Sequence, residues 1–246
     1  AVVWTPVPGV FLASSVRSRV AYSPVDQVFV AIGPSDATTH GLVYSTNGKQ
    51  WTGSSVLDKA LDVMKIEQLG LWVAVGSLNF STPAYATSPD GRAWTSHILN
   101  ASGVAGPLYL VTYVNGRVIV LDRNNNFYVS DDQMTTWTKT SFAQCTSGWT
   151  LCKVNDTHIL LQDSLGGNCI STDRGDTWNP LNTVTLNQTS PGGSCLVRRG
   201  VTYLTGGVPR SLFYSSDLAT WTDASAPWNA AGSSSLQALL FSHAGQ

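Results

Sequence analysis

Along the chain, apolar residues gather in runs of strand length separated by Gly, Asn, Ser and Pro, and the runs come in threes. The first set is Ser18 to Tyr22, Gln27 to Ile32 and Gly41 to Ser45. The second is Leu61 to Ile66, Leu71 to Val75 and Ala84 to Ser88, and the third Leu108 to Tyr113, Arg117 to Leu121 and Phe127 to Ser130. Trp149 to Val154, His158 to Gln162 and Asn168 to Ser171 make the fourth, and Ser194 to Arg198, Val201 to Thr205 and Ser211 to Ser215 the fifth. Turn dipeptides Asn115-Gly116, Asn155-Asp156 and Arg199-Gly200 separate the first two runs of the last three sets. One window departs: Val56, Leu57, Ala60, Leu61 and Met64 fall at helical spacing and predict a helical turn within 56–65.

Each set leads into a tryptophan that opens a fourth strand. Trp4, Trp51, Trp94, Trp137, Trp178 and Trp221, each followed by Thr or Asn, recur about 43 residues apart, a propeller-blade period. The last five are preceded by a Ser-containing turn, as in Ser45-Thr46-Asn47-Gly48, Ser88-Pro89-Asp90-Gly91, Ser130-Asp131-Asp132-Gln133-Met134, Ser171-Thr172-Asp173-Arg174-Gly175 and Ser215-Ser216-Asp217. An Asp or Asn at the head of a tight turn accepts backbone N–H groups that the turn leaves unpaired, and a following Gly tolerates positive φ. The Trp then fastens the hairpin, burying a large apolar ring while its N–H seeks one acceptor.

These segments resemble the Asp-box, or BNR repeat, Ser-x-Asp-x-Gly-x-x-Trp, found in sialidases, sortilin-type receptors, some glucanases and photosystem assembly factors. The copy ending at Trp178 matches in full; the one ending at Trp137 has Met134 in place of Gly, the other three are one residue shorter, and Asn47 replaces the Asp. The resemblance implies an all-β propeller over residues 1–246 as a single domain, with five Asp-box blades of four strands. In it Asn47, Asp90, Asp132, Asp173, Asp217, Trp51, Trp94, Trp137, Trp178 and Trp221 are structural. Trp4-Thr5 and Leu236 to Ser242 supply the outer and inner strands of a partial sixth blade, about 20 residues short of a complete one. A truncated or cleaved chain, a partial blade, or a blade completed by a second chain accounts for the shortfall; the alternative is a five-bladed ring.

Composition narrows the function. Of 246 residues only 12% are charged and the formal net charge is −1, so no long-range attraction to nucleic acid is expected. No apolar run is long enough to span a membrane. The chain starts at Ala1 without Met or a leader, so a signal peptide has been removed or the chain begins mid-protein. Cys145, Cys152, Cys169 and Cys195 lie close in sequence without metal-site spacing, so two disulfides are expected. Three pairings are open, with a preference for Cys145 to Cys152 and Cys169 to Cys195. With sequons at Asn79, Asn100, Asn155 and Asn187, a secreted or cell-surface glycoprotein is the expectation.

The sialidase resemblance implies an Arg-Ile-Pro motif, three carboxylate-clasping arginines, a Tyr–Glu pair and an acid Asp. No Arg-Ile-Pro occurs, and the sole glutamate, Glu67, sits beside the turn Gln68 to Gly70, at the end away from the usual propeller binding surface. A paired-carboxylate hydrolase would need two of Asp62, Asp122 and Asp163, each more typical of a turn or strand end. His40, His97, His158 and His243 are scattered, so no metal and no cofactor is expected. Ligand-binding candidates are Arg17, Arg19, Arg123 and Arg210 as a cationic set, with the aromatics Phe80, Trp149 and Trp228 (and Phe142) on the loops between blades and between second and third strands. The leading expectation is a non-catalytic extracellular recognition or adhesion module for a glycan or protein. The alternatives are an assembly subunit polymerising through an incomplete blade and a degenerate sialidase-like glycoside hydrolase.

Overall fold

The computed structural model describes residues 19–32, 41–140, 148–163, 169–180, 197–199, 202–207, 211–217, 220 and 222–223. Among these, strands assemble into five antiparallel sheets of four. The first contains β1 (Val20–Ser23), β2 (Val28–Ile32), β3 (Leu42–Ser45) and β4 (Thr52–Ser54), in that order. The second contains β5 (Lys59–Ile66), β6 (Leu71–Leu78), β7 (Thr82–Ser88) and β8 (Thr95–Ile98), and the third β9 (Leu108–Val114), β10 (Arg117–Asp122), β11 (Phe127–Ser130) and β12 (Thr138–Thr140). β13 (Gly148–Lys153), β14 (Ile159–Asp163), β15 (Cys169–Ser171) and β16 (Asn179–Pro180) form the fourth. β17 (Val197–Arg199), β18 (Thr202–Gly207), β19 (Ser211–Ser215) and β20 (Thr222–Asp223) form the fifth. Every sheet is a meander whose strand order follows the chain, as the sets of three runs plus a tryptophan predict. Contacts divide the chain into two compact units, Ala1–Tyr113 with Val118–Thr140, and Val114–Arg117 with Ser141–Gln246.

In the first unit, successive sheets pack face to face. Val28, Val30, Ile32 and Leu42 of the first sheet meet Ala60, Val63, Trp72, Ala74, Ala84 and Ala86 of the second, with Leu57 between. On the other side of the second sheet, Ile66, Val73, Val75 and Tyr85 meet Val111, Tyr113, Val118, Val120 and Tyr128 of the third. The second sheet is thus buried on both faces. Toward the first sheet it sets Trp72 among Ala60, Ala74, Ala84 and Ala86, so one large ring fills the space that the small residues leave. An ion pair fastens the margin of the first interface: Lys65 Nζ donates to Asp26 Oδ2 at 2.6 Å and Trp72 Nε1 donates to the same oxygen at 2.7 Å. The Lys65 bond, followed by that of Trp72, holds the Asp26 carboxyl below its ordinary range against the effect of burial. In the second unit, Leu151, Ile159, Leu160, Leu161, Cys169 and Trp178 are buried, and Cys169 is disulfide-bonded.

The helical turn expected within 56–65 is a strand from Lys59 onward. β5 pairs with β6 from Lys59↔Ser77 to Ile66↔Leu71, with a bulge between Ala60 and Asp62. Ala60, Leu61, Asp62 and Val63 are all buried. A strand covered on both faces loses its polar/apolar alternation, and the residual spacing then mimics a helix. The terminal strands expected at Trp4-Thr5 and Leu236 to Ser242 lie outside the described residues.

Candidate functional site

The two ends of the sheets are built differently. At the end where third and fourth strands join, the same turn recurs. Ser88 Oγ donates to Asp90 Oδ1 at 3.0 Å and accepts Gly91 N at 2.8 Å, while Asp90 Oδ1 accepts the N–H groups of Arg92 and Ala93 at 2.9 and 3.0 Å. Trp94 Nε1 closes the unit on the Gly91 carbonyl at 3.1 Å. Asn47 does the same for Lys49 and Gln50, with Trp51 on the Gly48 carbonyl. The turns of Asp132, Asp173 and Asp217 add a threonine hydroxyl donating to Oδ2, from Thr136, Thr177 and Thr220. Those bonds, led by the Thr136 hydroxyl, draw the Asp132 carboxyl down to about 2. For Asp90 and Asp173 burial works upward, but the backbone and hydroxyl donors outweigh it and the net shift is downward.

Met134 takes up the glycine conformation of this turn at φ 70°, beside Gly91 at 73° and Gly175 at 89°. Its side chain is buried against the core between the second and third sheets, which accounts for a non-glycine residue at this position. Its carbonyl accepts Tyr85 Oη at 3.0 Å, and Trp137 packs edge-on against the same Tyr85 ring at 5.5 Å between centroids. In the longer turns a second residue is also left-handed, Gln133 at φ 58° and Arg174 at 62°.

At the opposite end of the first unit, the connections are individual. Asp122, 1% exposed, closes β10. Its Oδ1 accepts Asn124 N and Asn126 N at 2.8 and 2.9 Å, and its Oδ2 accepts Ala105 N, Asn126 Nδ2 and Tyr128 Oη at 3.2, 2.9 and 3.1 Å. One carboxylate therefore fixes both the β10–β11 turn and the 101–106 loop. Burial first, and the Asp122 charge second, push the Tyr128 phenol far up, so it stays protonated and donates. Asp62, 3% exposed in the β5 bulge, accepts Val63 N and, across to the third sheet, Val111 N at 2.9 and 3.1 Å. Arg19 Nε lies 3.3 Å from Asp62 Oδ1.

At the β6–β7 turn, Asn79 N donates to Asp58 Oδ2 at 2.6 Å and Ser81 N to the Leu78 carbonyl at 3.1 Å. Asn79 and Phe80 stand at φ 48° and 60°, and Phe80 is 51% exposed. A bulky aromatic in left-handed backbone is a genuine outlier, held here by the clamp on either side.

Of the sequence candidates, Phe80 and Arg123 are exposed at this end, on neighbouring sheets of the first unit. Arg19 is engaged with Asp62. Arg17, Arg210, Phe142, Trp228, Trp221, Cys145, Cys195 and Asn187 lie outside the described residues, as do the side chains of Trp149, Cys152 and Asp163. Among the sequons, Asn79 and Asn100 are exposed, while Asn155 Oδ1 caps its own hairpin, accepting Thr157 N and His158 N. Glu67 lies in a 3-10 turn, Glu67–Leu69, and accepts Ser23 Oγ at 3.0 Å. His97 stacks on Tyr85 at 4.9 Å between centroids. Among the described residues, no group of three or more His, Cys, Asp or Glu side chains is placed to hold a metal, and no helix is long and apolar enough to cross a membrane. The joint closure of two loops by Asp122 had no sequence signal.

No family model and no curated protein matches this chain. Solved structures do. The GH74 enzyme of Niastella koreensis is 19% identical with a TM-score of 0.55, covering 82% of this chain and 30% of that one. YCF48 from Cyanidioschyzon merolae is 16% identical with a TM-score of 0.55, covering 84% of this chain and 71% of that one. The chain thus spans under a third of the length of the first. Both are β-propeller proteins. At these identities the likeness shows the fold alone: this is an all-β chain of four-stranded antiparallel sheets of propeller type.

Proposed function

We propose that the chain is an extracellular recognition module. In this reading it is a propeller of five Asp-box blades with a partial sixth from its terminal strands, and it binds a glycan or a protein through the loops opposite the boxes. The observation that carries the reading is Phe80, half exposed at a clamped hairpin tip in backbone that a phenylalanine ordinarily avoids. An aromatic held rigidly toward solvent is a stacking platform for a sugar or an anchor for a protein pocket. The disulfide at Cys169 supports an oxidising, extracellular setting. Asp62 and Asp122, two of the three acids open to a glycosidase, are taken up by backbone N–H groups and Arg19, which favours binding over hydrolysis.

The test is a panel of immobilised glycans and extracellular proteins probed with wild type and Phe80→Ala. Alanine keeps the Cβ that makes left-handed backbone costly and removes a ring that is half exposed, so the melting temperature changes little while binding falls by roughly tenfold or more, the weight of an interface anchor. Equal binding by the variant sinks the reading.

A second reading, an assembly subunit completed by another chain, draws on β1, a sheet edge carrying Val20 at 64% and Tyr22 at 49% exposure. Concentration-dependent oligomers in light scattering, lost on Tyr22→Lys, would favour it; a monomer at all concentrations would not.

A further inference from the structure

We infer that the 101–106 loop and the β10–β11 turn form a subsite for the anionic group of an acidic glycan, a carboxylate or sulfate held between Arg123 and Lys139. The inference rests on the binding reading above and specifies its ligand class. Two glycines locate the cations. A Cβ on Gly103 would lie 3.2 Å from Lys139 Nζ, and one on Gly106 would lie 3.5 Å from Arg123 Cβ and Cδ. The ammonium and the guanidinium stem therefore lie against the same short loop. The two glycine Cα atoms, three residues apart, are separated by at most about 11 Å.

Both cations are exposed and neither has an ion-pair partner among the described residues. Arg19, Lys65, Arg117 and Lys153 each pair with an aspartate. The Asp122 carboxylate, next to Arg123 in sequence, is buried and occupied by five donors, Asn124 N, Asn126 N, Asn126 Nδ2, Ala105 N and Tyr128 Oη. Those same bonds hold the loop in place, so ordering it costs a ligand little. An Arg fork from the β10–β11 turn and a Lys ammonium from β12, set against one loop, suit the several oxygens of a carboxylate or sulfate.

The rest of the surface decides between ligand classes. Ser102 and Asn124 are exposed beside the cations and offer hydroxyl and amide partners for sugar hydroxyls. The loop is otherwise Ala101, Gly103, Val104, Ala105 and Gly106, small residues that leave the surface shallow. A glycan, which needs polar partners over a shallow surface, fits better than an acidic peptide.

The test uses titration calorimetry of the full chain with a sulfated glycosaminoglycan oligosaccharide, a neutral glucan oligosaccharide and a polyglutamate peptide. Arg123→Gln and Lys139→Gln are compared with wild type, with circular dichroism to verify folding. The sulfated probe binds wild type more weakly as salt rises, and each substitution lowers its affinity roughly tenfold, as expected for losing one charge-assisted hydrogen bond. Arg123→Lys recovers part of the loss. Undiminished binding by the double variant overturns the inference, as does tighter binding of polyglutamate, which would assign the surface to an acidic peptide. A protein that binds the neutral glucan through Phe80 but ignores the sulfated probe overturns this inference and leaves the binding reading standing. One that binds nothing in the panel overturns both.

Discussion

The two ends of the sheets use the same side chain, aspartate, for opposite purposes. At the box end, Asn47, Asp90, Asp132, Asp173 and Asp217 each accept N–H groups two to four residues ahead. At the loop end of the first unit, Asp122 reaches back seventeen positions to Ala105 N, Asp62 forward forty-nine to Val111 N, and Asp58 twenty-one to Asn79 N. A local, repeated bond builds a module that any blade can carry. A long-range, unrepeated bond fixes one particular surface, and that surface is where exposed Phe80 and Arg123 stand. Repetition marks the box turns as scaffold, and at that same end Asp26, bonded by Lys65 and Trp72, is an unrepeated link that joins two sheets.

Substitutions at the two ends separate their roles. The largest effect belongs to Asp122→Ala. It strands the buried Tyr128 Oη and frees the part-buried Ala105 N, Asn124 N and Asn126 N that shape the loop, and at about 1–3 kcal/mol for the buried group with smaller losses at the others it costs about 2–3 kcal/mol in chemical denaturation and abolishes ligand binding. Asp90→Ala, which removes a local cap, costs about 1 kcal/mol and leaves ligand affinity unchanged. Equal losses of affinity from both substitutions would erase the distinction between the ends.

The box end also predicts an acid limb. A carboxylate whose folded pKa lies below its unfolded value of about 3.9 stabilises the fold fully above that value and loses the contribution as pH falls through the folded pKa. Asp132 is drawn down to about 2, and Asp26, Asp90 and Asp173 are lowered as well. The melting temperature therefore declines as pH falls from about 4 toward 2, and Asp132→Asn makes the decline shallower. The smallest effect is a gain. Gln133, exposed at φ 58°, becomes more comfortable as glycine, so Gln133→Gly stabilises by about 0.5–1 kcal/mol in thermal unfolding. Met134→Gly, at the next position, destabilises instead because it empties a buried core site.

Most of the fold was legible because its signals are local. Strand runs such as Phe127 to Ser130 and the Ser-x-Asp turns are read within a few residues, and the strands fall within two or three positions of their expected bounds. The 56–65 window misled because burial on both faces of β5 removes alternation. The site was only half legible. Phe80 and Arg123 could be picked out as exposed-loop chemistry, but the bond from Ala105 N to Asp122 and the approach of Lys139 to Gly103 are tertiary contacts with no periodicity to betray them. Arg19 read as a free cation because its partner, Asp62, is forty-three residues away.

Recognition at the loop end leaves a hydrogen-exchange footprint in the complex with the tightest-binding member of the glycan and protein panel. Slowed exchange at 79–81, 101–106 and 123–126, with the turns after Ser45, Ser88 and Ser130 unchanged, is the predicted result. Protection confined to those turns would contradict it.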